Sequence, residues 1–177
     1  MAVKNPAPYR DFQQPYTRTS RVKSKAYIKT VPPKAVVKYC MGNSRKWNDN
    51  QFMYKAEVIA ESSAQISDVA IEASRQQLLR EITNQVGLDF FMGVSVAPHQ
   101  IIREHKQAAV AQADRMSQGM ALSFGRTCGR MARVPEGKSI FTFGLNTEED
   151  VAKVRAIYKI TRAKLPIVTR FEVTKIF

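Results

Sequence analysis

REHKQAAVAQADRMSQGMALSFGRTCGRMARV, residues 103–134, is the stretch whose reading decides the fold. It has too few β-branched and aromatic residues to read as a strand, and Ala108 to Ala113 is small and featureless. Its second half sets Gly119, Gly125 and Gly129 among Arg115, Arg126, Arg130 and Arg133. Read as a loop over 104–133, it is longer than most connections inside a compact domain, and such loops are functional or disordered. Glycine allows positive φ and close approach to a ligand. Arginine bonds phosphate oxygens in pairs. Two readings stand at this point: backbone laid against a polyanion, or a solvated, disordered loop.

The flanks decide what holds the loop. Ile101 and Ile102 read as the end of a strand running in, interrupted upstream at Pro98. Ser139 to Leu145 reads as a strand running back, with Phe141, Phe143 and Leu145 on one face. The loop therefore rises from a strand-built base. Further upstream, Phe90, Met92, Val94 and Val96 alternate with Phe91, Gly93 and Ser95 as another strand. Ser62 to Val86 reads as a helix, with Ser62 and Gln65 as a capping box and Ile71, Ser74, Leu78 and Ile82 as its core stripe. Gly87 stops it. Ala35 to Met41 and Phe52 to Ala60 read as strands, with a turn at Gly42, Asn43 and Ser44 between them. Trp47 follows that turn and suits either hydrophobic anchoring or base stacking. After the loop, Thr147 and Asp150 cap a second helix with Val151, Val154 and Tyr158 inward and Lys153, Lys159 and Lys164 outward. Pro166 closes it, and Ile167 to Val173 is the last strand. The expected fold class is α+β, a sheet with two packed helices. The expected division is an extended basic arm over 1–35 and a single α+β domain over 36–177 carrying the loop.

The chain has 177 residues, 44% of them apolar, and a net charge of +13. That length is enough for one domain with a real core. Net charge bears on partners, and nucleic acid or an anionic membrane leads. The charge is segregated. Residues 1–55 are rich in lysine and arginine against only Asp11 and Asp49, whereas 56–102 carry six carboxylates against Arg75 and Arg80. This pattern points to a polyanion. Pro6, Pro8, Pro15, Pro32 and Pro33 keep the arm extended and deny it the apolar helical face a membrane would need. Tyr9, Phe12, Tyr16 and Tyr27 among its cations suit stacking on unpaired bases, and a free basic tail is the plainer alternative.

Catalytic signals are lacking. His99 and His105 are six apart and do not share a helix face as an i,i+4 metal pair would. Cys40 and Cys128 match no zinc spacing and read as reduced thiols. Cys128 lies beside Arg126 and Arg130, yet no general base accompanies it. SFGRTCGRM is not a phosphate-cradling GxxxxGK[ST] loop. No apolar run reaches membrane-spanning length. The start, MAVKNPAPYRDF, lacks the apolar core of a secretory signal. An enzyme, a metal site and a cofactor are not expected.

ADRMSQGMALSFGRTCGRMARV, from Ala113 to Val134, resembles the pattern ADR-x-x-x-GM-x-x-x-FG, then a glycine, then ARV. PxPYRxxxxPYTR at Pro6 to Arg18, IEASR at Ile71 to Arg75, Pro98 and IIR at Ile101 to Arg103 extend the likeness in order and spacing. The chain resembles the archaeal and eukaryotic branch of large-subunit ribosomal protein L-sixteen, the L-ten-e type, and an archaeal source is expected. It departs at Ala121, where the family often has arginine, at Gln100 in place of a histidine, and at Arg126 in place of a lysine. Lys4 stands alone where further early arginines are usual.

The resemblance implies an α/β-hammerhead-type fold and a place in the tRNA-entry cleft of the large subunit, the loop projecting toward the peptidyl transferase centre. Catalysis would stay with RNA. Implied partners are large-subunit rRNA, tRNA in the A and P sites and neighbouring ribosomal proteins, with 5S rRNA and assembly factors as further candidates, in the cytoplasm. Arg10, Arg18, Arg21, Lys23 and Lys25 would neutralise rRNA phosphates, and Tyr9 and Tyr16 would stack. Arg103 and Lys106 would hold the loop's root. Arg115, Arg126, Arg130 and Arg133 would carry its contacts, with Gly119, Gly125 and Gly129 allowing its bends. The competing classes are a free tRNA- or mRNA-binding module and an RNA-modifying enzyme.

Overall fold

The computed structural model describes residue 28 and residues 30–104 and 126–176. The elements follow in the order β1 (Cys40–Gly42), α1 (Ser44–Asn48), β2 (Tyr54–Ala60), β3 (Ala64–Ser67), α2 (Asp68–Gln85), β4 (Phe91–Val94), β5 (Gln100–Glu104), β6 (Arg126–Val134), β7 (Ser139–Leu145), α3 (Glu148–Thr161) and β8 (Thr169–Lys175), with a 3₁₀ turn over Arg162–Lys164. The fold is α+β. Two antiparallel sheets form, where one was expected: a five-stranded sheet in the order β1-β4-β7-β2-β8 and a three-stranded sheet in the order β3-β6-β5.

Period-two alternation builds the large sheet. Cross-strand partners Met41–Met92, Met92–Phe143, Phe143–Ala56 and Ala56–Val173 run across it on one face. Against that face pack Ile71, Leu78 and Ile82 of α2 and Val151, Val154, Ile157 and Tyr158 of α3, all in one buried cluster. Both helix stripes agree with the sequence reading. The Tyr158 hydroxyl is satisfied at the carbonyl and hydroxyl oxygens of Thr169, each 2.6 Å away. The opposite face is covered at one end by α1. Trp47 stacks on Phe91 with ring centroids 4.5 Å apart, which makes it an anchor. Gly144 admits this packing, because a Cβ there would lie 2.8 Å from Phe52 and 2.9 Å from Trp47.

Four boundaries differ from expectation for identifiable reasons. The first strand begins at Cys40, not Ala35, because its ladder with β4 runs over Cys40–Gly42, extended by a single bond from Val94 N to the Tyr39 carbonyl at 2.7 Å. Val36, fully buried, is held in the core without a ladder. Gly42 turns the chain at φ +78°, where a Cβ would meet the Phe90 carbonyl oxygen. The first long helix starts at Asp68, capped by the Ser67 hydroxyl accepting from Ala70 N at 3.2 Å, and not at Ser62. Residues 64–67 are drawn into strand by pairing with β6, a tertiary partner that outweighs local helical pattern. The strand expected over 90–96 is hydrogen-bonded over Phe91–Val94, and the last strand is Thr169–Lys175 rather than 167–173.

A fifth difference concerns the loop. Residues 126–133, expected to belong to it, lie in β6, which pairs with β3 on one side and β5 on the other. Pairing with β5 over Arg126–Met131 and with β3 over Met131–Val134 makes a strand of a segment whose arginines and glycine hide the alternation. The ladder between β5 and β6 shifts register: Ile102 pairs with Gly129 and Arg103 with Thr127, so Cys128 is an extra residue, a β-bulge. The second helix is as expected, with the Thr147 hydroxyl accepting from Asp150 N at 3.2 Å.

Candidate nucleic-acid interface

The three-stranded sheet carries the described part of the basic motif. Its near end is built into the core through Ile66, Ala132 and Val134. Its far end has a small cluster of its own, Ile102 and Met131, with Cys128 against it. Hydrophobic packing thus fixes the root of the hairpin while leaving its cations at the surface. Arg126 is exposed at the first position of β6, and Arg130 and Arg133 are half-buried further down. Arg133 stands opposite buried Gln65 in the ladder.

The structure brings the end of the arm to this sheet. Thr127 Oγ1 donates to the Thr30 carbonyl at 2.8 Å, and Arg130 Nε donates to the Pro32 carbonyl at 2.8 Å. Ala35 N donates to Asp68 Oδ2 at 3.2 Å, where the carboxylate also accepts from Val69 N at the start of α2. Three bonds therefore fasten residues 30–35 along β6 and the helix start. The Arg130 guanidinium is partly committed to the chain itself. Gly129 is regular strand without a positive φ, and a Cβ there would make ordinary contact with Ile102 at 3.4 Å, so the bend assigned to it is not a property of this residue.

Sequence reasoning misses Thr127 and Asp68 as organising residues. Asp68 is visible in the sequence as a first-turn carboxylate, but nothing there shows that Ala35 folds back onto it. Arg103 lies in β5. Tyr9, Arg10, Tyr16, Arg18, Arg21, Lys23, Lys25, Lys106, Arg115, Gly119 and Gly125 lie outside the described residues. Among the described residues no group of three or more His, Cys, Asp or Glu is placed to hold a metal, and no helix is long and apolar enough to cross a membrane.

A two-sheet α+β body with a basic strand at one end agrees with the family resemblance, and the family model described as ribosomal protein L16p/L10e matches residues 13–172. The chain belongs to the L16p/L10e family of ribosomal proteins. Relatives of this L16p/L10e chain include archaeal proteins that carry the name large ribosomal subunit protein uL16. That of Methanococcus maripaludis strain C7 is 37% identical over 177 residues, covering 99% of this chain and 96% of the relative. That of Nanoarchaeum equitans is 34% identical over 170 residues, covering 95% and 91%. That of Pyrobaculum calidifontis is 36% identical over 160 residues, covering 90% and 86%.

Proposed function

We propose that this chain is a structural constituent of the large ribosomal subunit that binds large-subunit rRNA. The observation that carries the reading is likeness over almost the whole chain to proteins named for that subunit. The charge supports it: +13 overall, with Arg126, Arg130 and Arg133 on a strand whose near end is braced by the core. In this reading the body adopts the hammerhead arrangement of its family and sits in the tRNA-entry cleft. The segment between β5 and β6 projects toward the peptidyl transferase centre and supports tRNA positioning in the A and P sites. The arm, residues 1–35, acts as a separate RNA-binding unit on the domain 36–177. Arg126, the exposed cation at the root, contacts phosphate, while RNA does the chemistry. Partners are rRNA, with 5S rRNA a candidate, tRNA, neighbouring ribosomal proteins and assembly factors, all in the cytoplasm.

The test is sedimentation of the tagged chain from a lysate through a high-salt sucrose gradient. Retention with the large subunit is expected. Recovery only in light fractions would replace this reading with that of a free tRNA- or mRNA-binding module.

A further inference from the structure

On the side of the molecule formed by its two long helices, α2 and α3 form an open pocket of about 260 Å³ lined by Gln77, Glu81, Gln85, Ala156, Ile157 and Ile160. The α2 wall repeats every four residues, so Gln77, Glu81 and Gln85 stand in one row. The α3 wall is apolar, and Ile160 at its rim is 68% exposed. Two acceptors in this pocket are unanswered. Gln77 Oε1 is buried without a hydrogen-bond partner. Glu81 is half-buried and makes no ion pair or hydrogen bond among the described residues. Two nearby lysines are engaged elsewhere, Lys153 of α3 with Asp150 at 3.5 Å and Lys164 of the 3₁₀ turn with the Ala73 carbonyl at 3.5 Å.

We propose that this pocket receives a lysine side chain from a neighbouring protein of the large subunit. The inference rests on the ribosomal reading above. Charge complementarity selects the occupant. In a chain of net charge +13, this pocket offers a carboxylate, an orphaned amide oxygen and no cation from its own walls. An ammonium group brings three donors and no acceptor, which matches a row of Gln77, Glu81 and Gln85 oxygens. Its four-carbon stem would lie on Ile157 and Ile160, covering apolar surface while the head is neutralised. The volume is below the range usual for small-molecule sites, about 300–1,000 Å³, and suits one side chain. A buried acceptor left without a donor is unfavourable, so the pocket is better satisfied filled than empty.

Carbodiimide treatment of intact large subunits tests this, because it joins a carboxylate to an amine that already touches it. Sedimentation first establishes that the chain is in the subunit, so failure of the ribosomal reading is seen separately. The expected result is an amide between Glu81 and a lysine of another ribosomal protein, located by peptide mass spectrometry. Glu81→Gln should lose the crosslink, and Ile160→Lys, which places a competing cation at the rim, should diminish it, both in chains that still join subunits. Glycinamide added as a free amine should label Glu81 in the isolated chain and not in the subunit. Labelling of Glu81 in both settings, a crosslink only to this chain's own lysines, or protection without any protein crosslink would overturn the proposal.

Discussion

Phe143 and Arg126 mark two regions built on different principles. Phe143 lies at the centre of the five-stranded sheet, fully buried between its ladder partners Met92 and Ala56. Arg126 heads the three-stranded sheet, exposed, and among the described residues Ile102, Met131 and Cys128 pack together beneath its end of the hairpin. The large sheet is stabilised by apolar area removed from water, the dominant favourable contribution to folding. The small one is stabilised by borrowing, its near end from the main core and its far end from a few contacts and from hydrogen bonds to residues 30–35. A protein that must present cations on a firm support gains from this division, since the charges need not be buried to be held.

Substitutions can break or sharpen that contrast. Phe143→Ala should act on the whole molecule, lowering stability by about 3–5 kcal/mol in denaturant titration. A cost under about 1 kcal/mol would mean that the large sheet is not the source of stability. Met131→Ala should cost less, about 2 kcal/mol, and act locally. Hydrogen exchange should quicken in β5 and β6 and stay slow in β2 and β7. Uniform quickening would show the two sheets to be one cooperative unit.

A third, smaller effect concerns pH. Arg75 makes two bonds to Glu72, Nη2 to Oε1 at 2.5 Å and Nε to Oε2 at 2.8 Å, while its Nη1 reaches Met41 Sδ at 3.0 Å. This hydrogen-bonded guanidinium holds the Glu72 carboxyl below its ordinary value of 4.5, against the opposing effect of burial. A depressed carboxyl stabilises the fold above its unfolded pKa, and that stability is lost as pH falls through the folded pKa. Stability should therefore decline as pH falls below about 4.5, and Glu72→Gln should flatten that part of the profile. An unchanged profile would assign the acid sensitivity to other carboxylates. Least visible in stability is Arg126→Ala, expected within about 0.5 kcal/mol of the parent. Its effect should appear in RNA binding, where the salt slope falls by about 0.7–0.9, and in subunit joining or tRNA accommodation. Normal translation with that variant would remove the role given to Arg126.

The same contrast governs how much of the molecule is legible in its amino-acid sequence. In the large sheet, hydrophobic period and cap chemistry coincide, so β7, the Thr147 cap and the stripes of α2 and α3 can be read directly. In the small sheet they do not. Ala64–Ser67 is four residues of weak pattern that become strand through β6 alone, and β6 itself is disguised by Gly129, three arginines and a bulge. The cations of the candidate interface are legible by type, since charge and residue kind need no geometry. Their fastening is not, because the bonds from Thr127 and Arg130 to residues 30 and 32 join positions nearly a hundred apart.

The extra residue at Cys128 works as a change of phase. Counting back from Val134 and Ala132, both in the core, even-numbered residues share a face as far as Arg130, which reaches Pro32. Without an interruption, Thr127 would belong to the odd set with Met131 and Arg133, and Arg126 would turn inward with Arg130. The inserted residue reverses the parity, so Thr127 joins Arg130 on the side of residues 30–32 and Arg126 passes to the other. What matters here is therefore the number of residues more than their identity. Removal of one residue at 128 would exchange the partners of everything upstream of it in the strand.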